Sequence, residues 1–217
     1  WLRRGRGCLV VGIGSGLGYG MCNLPPLFTA APVAQAVVGA VFALVAAVLV
    51  PGREADVLGR EPWQAGEDAG GWSLGVVAAV VALTALVWLD SAAFFIIQHV
   101  SQFKAGTWGE GMLWRNAGLH VAGGALAGWW LDRGGLRRLL VAALVRLAVA
   151  AMWVQQDAWR VAGAWIYPVA VSLYSTALVC WPGLLGGRGW RNSGWRAALM
   201  FAVAGWIGSA NGIGMVT

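Results

Sequence analysis

Charge is what this chain has least of: Asp, Glu, Lys and Arg together make up 11% of its 217 residues. Lysine occurs once, as Lys104, histidine twice and cysteine three times. Each scarcity excludes something. So few charges exclude an ordinary soluble domain. The lone lysine lies in an outer loop between apolar runs, so no amine inside a span is available for a Schiff base, and a retinal-type protein is excluded. Cys8, Cys22 and Cys180 stand far apart in or beside apolar segments, without CxxC or CxxCH spacing, and read as small apolar residues, not metal or haem attachment sites. His99 and His120 fall at depths that differ by about 10 Å, at about 1.5 Å per helical residue, too far apart to flank one haem. No grouping of Ser, His and Asp supports hydrolysis, so neither an enzyme activity nor a cofactor is expected. No segment has the alternating pattern of an outer-membrane barrel.

What remains is apolar: 59% hydrophobic residues and a mean hydropathy of +0.68. Several runs reach or exceed the roughly 20 residues that a helix needs to cross a bilayer, so an all-α polytopic membrane protein with the lipid bilayer as its surroundings is predicted. Seven spans can be drawn, Cys8–Phe28, Ala30–Val50, Trp72–His99, Leu113–Leu131, Leu136–Val154, Val161–Trp181 and Ala197–Val216. The net charge of +6 is explained by orientation and not by nucleic acid. Arg3, Arg4, Arg6, Arg53, Arg60, Arg133, Arg137, Arg138, Arg188, Arg191 and Arg196 all fall on one side of that topology. By the positive-inside rule that side is cytoplasmic, which places the protein in the cytoplasmic (inner) membrane with the N-terminal end of this chain inside. The chain opens at Trp1 with an arginine-rich stretch leading straight into a span, which predicts no signal peptide and a chain that is part of a longer protein.

Pro51 to Gly71 is the longest polar segment and reads as a linker between two bundles, 1–50 and 72–217. In the first span Gly12, Gly14, Gly16, Gly18 and Gly20 form overlapping GxxxG pairs, and Gly208 and Gly212 form another in the last, a spacing that lets helix backbones approach closely. The motif NLPPLF, Asn23 to Phe28, should end the first helix. Many of the fifteen tryptophans, Trp129, Trp130, Trp159, Trp181 and Trp195 among them, lie near span ends, where interfacial anchoring accounts for them.

Ionisable residues inside spans are functional candidates by default. Asp90 lies in the third span and His120 at a comparable depth in the fourth, while Arg146 sits near the middle of the fifth as the expected counter-charge. Two readings stand: Asp90 and His120 bind a proton or a solute with Arg146 biasing the acid, or Asp90 and Arg146 form a static pair that fixes helix packing. Tyr167 and Tyr174, seven apart, share a face of the sixth span with Ser175 beside them and Pro168 nearby, and are candidates to line a pore. Asn116, one turn from His120, and the Ser209–Asn211 patch are further polar candidates.

Between the fourth and fifth spans stands GWWLDRGGLRR, Gly128 to Arg138. It resembles the GxxxDRxGRR loop signature of the major facilitator superfamily through Gly128, Asp132, Arg133, Gly135 and Arg137, with Leu136 where a basic residue is common. The resemblance implies that this is the second copy of the signature, that the seven spans are a fragment covering helices five to eleven of twelve, and that the final helix is missing. Residues 1–50 would then be the last two helices of the N-terminal bundle, 51–71 a cytoplasmic linker and 72–217 five helices of the C-terminal bundle. It further implies a secondary transporter of a small solute, with proton symport as the coupling considered. Gly128, Asp132, Arg133, Gly135, Arg137 and Arg138 would act as a conformational latch. A carboxylate such as Asp132 is favoured at the N-terminus of a neighbouring helix. The alternative is a non-transporting subunit or scaffold of a redox or other membrane complex, with other subunits as partners.

Overall fold

A computed structural model describes residues 7–49, 74–184 and 190–214. The linker placed at 51–71 lies outside the described residues. In chain order the helices are α1 (Gly7–Cys22), α2 (Pro25–Phe28), α3 (Pro32–Leu49), α4 (Leu74–His99), α5 (Ser101–Trp108), α6 (Leu113–Leu131), α7 (Leu136–Val154), α8 (Arg160–Leu184) and α9 (Trp190–Met200). The last continues through a π-helical stretch, Phe201–Gly208, into α10 (Ser209–Gly214). No strand occurs among the described residues.

Among the described residues three helical segments are long and apolar enough to cross a membrane: Val77–His99, Arg160–Pro182 and Trp195–Gly214. At 26 residues α4 extends about 39 Å, more than the roughly 30 Å of hydrocarbon. Gly7–Cys22 and Pro32–Phe42 are apolar but shorter. The chain is therefore an all-helical membrane protein. α6 and α7 begin and end where hydropathy placed them, but each is 19 residues long and diluted by polar or charged side chains.

The interior is built on α4, α6, α7 and α8, with Leu83, Leu86, Leu131, Leu139, Leu147, Leu173 and Trp181 essentially inaccessible. The outer surface is also apolar: Val33, Leu44, Val141, Val161 and Trp206 are all more than half exposed. Such a surface is costly in water and natural in lipid, where aliphatic side chains meet aliphatic tails.

α1 packs most extensively on α6, in the opposite direction. Its glycines explain why. A side chain on Gly12 would overlap the carbonyl of Gly124, and one on Gly16 would come within 2.7 Å of the His120 carbonyl, whereas Gly14 and Gly18 face open space. One stripe of the five glycines thus makes the contact. Near the other end of the chain Gly208 and Gly212 bring the last helix against Thr84, Trp88 and Ser91 of α4, where Ser91 donates to Ser209 at 3.1 Å.

Two sequence expectations are corrected. The segment carrying Lys104 was expected to be a loop and instead forms α5, because Phe103 and Thr107 are buried beneath it and Gly109 ends it. Trp181, expected as an interfacial anchor, is wholly buried in the core, with no partner for its indole N–H among the described residues. A position three residues short of a helix end says nothing of which face that residue occupies.

Candidate functional site

Asp90 is the acid of the interior. It projects from α4 toward α8, where Tyr167 and Tyr174 are separated by seven residues, two turns of one face. Tyr167 donates its hydroxyl to one carboxylate oxygen at 2.6 Å and Tyr174 to the other at 2.5 Å. Both phenol rings are buried, so α4 and α8 are tied through a carboxylate clasped from two levels. Interior polar groups need such partners, since lipid and core offer none.

His120 adjoins this clasp. Its Nδ1 lies 2.8 Å from Ser172 Oγ across the α6–α8 contact, and its ring stacks on Tyr19 of α1 with centroids 5.0 Å apart and planes 15° from parallel. Gly123 permits the approach, since a side chain there would come within 3.0 Å of Ser172 Cβ. Beside Tyr174 on α8 stands Ser175. Ser175 itself donates to Val171 O one turn back at 2.7 Å. Asp90 and His120 are thus both held by partners on α8, in one polar cluster along that helix within an apolar bundle.

The cluster draws together Asp90, Tyr167, Tyr174 and, through Ser172, His120. It does not include Arg146, which corrects the expected Asp90–Arg146 pairing. Arg146 is exposed on α7, and its Nη1 donates to Ala142 O at 3.3 Å. The reason is rotation about α7: Leu139, Ala143, Leu147, Ala150 and Val154 form the buried stripe, and Arg146 falls off it. Asn116 is fully buried but braces α5: its amide donates to Thr107 O at 2.7 Å and its carbonyl accepts from Arg115 at 2.9 Å. Asn211 donates to Ile207 O at 2.8 Å on the exposed side of the last helix. Tyr19 and Ser172 were not singled out from sequence. A large polar aromatic in GLGYG was the available signal for Tyr19, and nothing local marked Ser172.

A second cluster lies at the opposite end of α6. The two Asp132 oxygens accept from the backbone amides of Cys8 and Leu9, each at 2.9 Å, so the carboxylate caps the first turn of α1. Gly128 lies directly beneath, and any side chain there would strike the Cys8 and Leu9 backbone. The turn itself is made by Gly134, whose φ of 74° is left-handed. Gly135 sits so close to the Trp130 indole that a side chain would overlap it. Arg133 folds back on its own helix, with Nη1 donating to Trp129 O at 3.1 Å and the guanidinium 3.9 Å above the Trp129 ring. Arg137 and Arg138 are exposed and stand apart from the cap. Cys8 and Cys180, remote in sequence, are both buried, and the α6–α8 register brings Cys180 level with Gly128, against which Cys8 lies.

No group of three or more His, Cys, Asp or Glu side chains suited to a metal ion occurs among the described residues. The fold and the two clusters define a helical membrane protein with a polar interior site. No protein family, curated protein or solved structure matches the chain.

Proposed function

We infer that the chain belongs to a secondary transporter of the major facilitator type, which moves a small solute by alternating access with protons as the coupling species. In this reading the seven apolar segments are spans five to eleven of twelve, in the inner membrane with the N-terminal end cytoplasmic. The observation that carries it is the carboxylate of Asp90, held by Tyr167 and Tyr174 across two helices, with His120 bonded to Ser172 on the same helix as the two tyrosines.

A carboxylate accepts both tyrosine hydroxyls; a carboxylic acid gives up acceptor capacity on the oxygen that carries the proton. Proton arrival at Asp90 therefore weakens one link between α4 and α8 and lets a solute compete for the released tyrosine. Departure of the proton restores both links. Asp132 supplies the second element: its cap on α1 holds one end of the α1–α6 interface closed, and opening on that side requires the two bonds to break. The GWWLDRGGLRR loop and the small-residue α1–α6 interface support this role.

The test is proton flux in proteoliposomes containing a trapped pH-sensitive dye, challenged with panels of sugars, amino acids, organic acids and amines. Flux should appear with one class and vanish in Asp90→Asn, while far-UV circular dichroism stays unchanged. Solute uptake with the same pH dependence in Asp90→Asn would sink the proton role. No flux with any panel, together with stable co-purification of other membrane subunits, would replace the carrier with the scaffold alternative.

A further inference from the structure

Arg146 poses a problem that the polar cluster does not solve. It lies eight residues beyond Arg138 on α7, about 12 Å along the helix, and is exposed on the outer face of a helix packed against the membrane-crossing α8. A guanidinium facing hydrocarbon is costly unless it reaches polar surroundings. Its direction is informative. The bond to Ala142 O turns the side chain back toward the N-terminal end of α7, where Arg137 and Arg138 project. A long basic side chain reaching along its helix toward a headgroup layer behaves this way.

Between these arginines lies a groove. Arg137, Arg138, Val141, Ala142, Val145 and Arg146 line about 470 Å³ on one exposed face of α7. Val141 and Val145 are each 56% exposed, giving an aliphatic strip bounded by guanidinium groups at both ends. A second hollow of about 480 Å³ shares Arg137 and Arg138 and adds Trp129, Trp130 and Arg133. Arg137, Arg138 and Arg146 have no acidic partner among the described residues.

We propose that this face of α7 is a binding site for an anionic glycerophospholipid, with its phosphate held by Arg137 and Arg138, the upturned Arg146 reaching the ester oxygens from below, and an acyl chain lying along Val141 and Val145. The chemistry fits both halves of the ligand. The guanidinium fork matches phosphate oxygens in bidentate geometry. The valine strip offers aliphatic contact where the chain must descend. A soluble anion would satisfy only the arginines, and a zwitterionic lipid would bring its own cation against them. The inference needs only that α7 lies in a membrane, so it stands or falls separately from transport.

Native mass spectrometry of the detergent-solubilised chain, equilibrated with equal phosphatidylglycerol and phosphatidylcholine, tests it. Phosphatidylglycerol adducts should be retained selectively. Each Arg→Gln change should weaken retention about fivefold and the Arg137→Gln, Arg138→Gln, Arg146→Gln combination about a hundredfold, with the helical dichroism preserved. Arg138→Lys, which keeps the charge but loses the fork, should fall between Arg138→Gln and the unaltered chain, and Arg160→Gln, on α8, should keep all of the binding, so the result does not depend on the triple variant folding. Glycerol phosphate, which has no acyl chains, should compete poorly. Equal retention of both lipids, unchanged retention in the single and triple variants, or equal competition by glycerol phosphate would overturn the proposal.

Discussion

Removing the Asp132 carboxylate gives the sharpest check on how α1 is held. In Asp132→Ala the amides of Cys8 and Leu9 lose both acceptors, each bonded at 2.9 Å. Bonds to a charged group contribute about 1.5–3 kcal/mol each, and an anion at a helix N-terminus adds up to about 2 kcal/mol when partly buried. Water can reach this partly buried end and replaces some of the loss, so about 2–4 kcal/mol is expected. Asp132→Asn keeps one carbonyl acceptor but turns an NH2 toward the other amide, so about half the loss remains. At about 1.4 kcal/mol per factor of ten, undocking of the α1 end rises roughly 30- to 700-fold in the alanine variant. Cys8 reports this directly, being only 8% exposed while Cys22 is exposed and serves as an internal standard. Maleimide labelling of Cys8, read by peptide mass mapping, should accelerate by the same factor in Asp132→Ala and less in Asp132→Asn. A Cys8 rate within twofold of the unaltered protein in both variants would show that the cap does not hold α1.

Two further outcomes follow from the same interface. Gly12→Ala and Gly124→Ala would each push a methyl into the facing backbone carbonyl, which cannot rotate away, and should cost about 1–3 kcal/mol or more; Gly14→Ala and Gly18→Ala meet nothing within 4 Å and should be neutral or stabilising by up to about 1 kcal/mol. Thermal unfolding in detergent separates the pairs, and equal losses at all four positions would contradict the antiparallel α1–α6 register. Oxidation with copper phenanthroline should join Cys8 to Cys180 and leave one titratable thiol, Cys22, in the denatured chain; a crosslink through Cys22 would misplace the end of α8.

Much of the helical layout was legible because hydropathy and turn residues act locally. GWWLDRGGLRR marked the α6–α7 turn, and hydropathy placed the outer ends of both helices. The Tyr167–Tyr174 face was legible for the same reason, since seven residues make two turns. Partners were harder. Arg146 was matched to Asp90 by depth alone, yet the buried stripe Leu139, Ala143, Leu147, Ala150 and Val154 was written in the sequence and excludes Arg146 from the interior. His120 meets Ser172 and Tyr19 across intervals of 52 and 101 residues, and no local pattern encodes either meeting. The cysteines read as inert small residues for the same reason: the α6–α8 register that sets His120 against Ser172 also brings Cys180 level with Gly128, where Cys8 arrives from α1.

By itself the sequence determined that this chain lives in lipid as helices and where most of those helices turn, because apolar run length, glycine spacing and scarce charge act within a few residues. Only the tertiary structure decided which groups meet. Helix rotation turned Arg146 outward to the surface and Asp90 inward to two hydroxyls, and helix approach through Gly12, Gly124 and Gly128 carried the first turn of α1 onto Asp132. Depth is set by sequence position, but direction is set by the neighbour that each face has to bury.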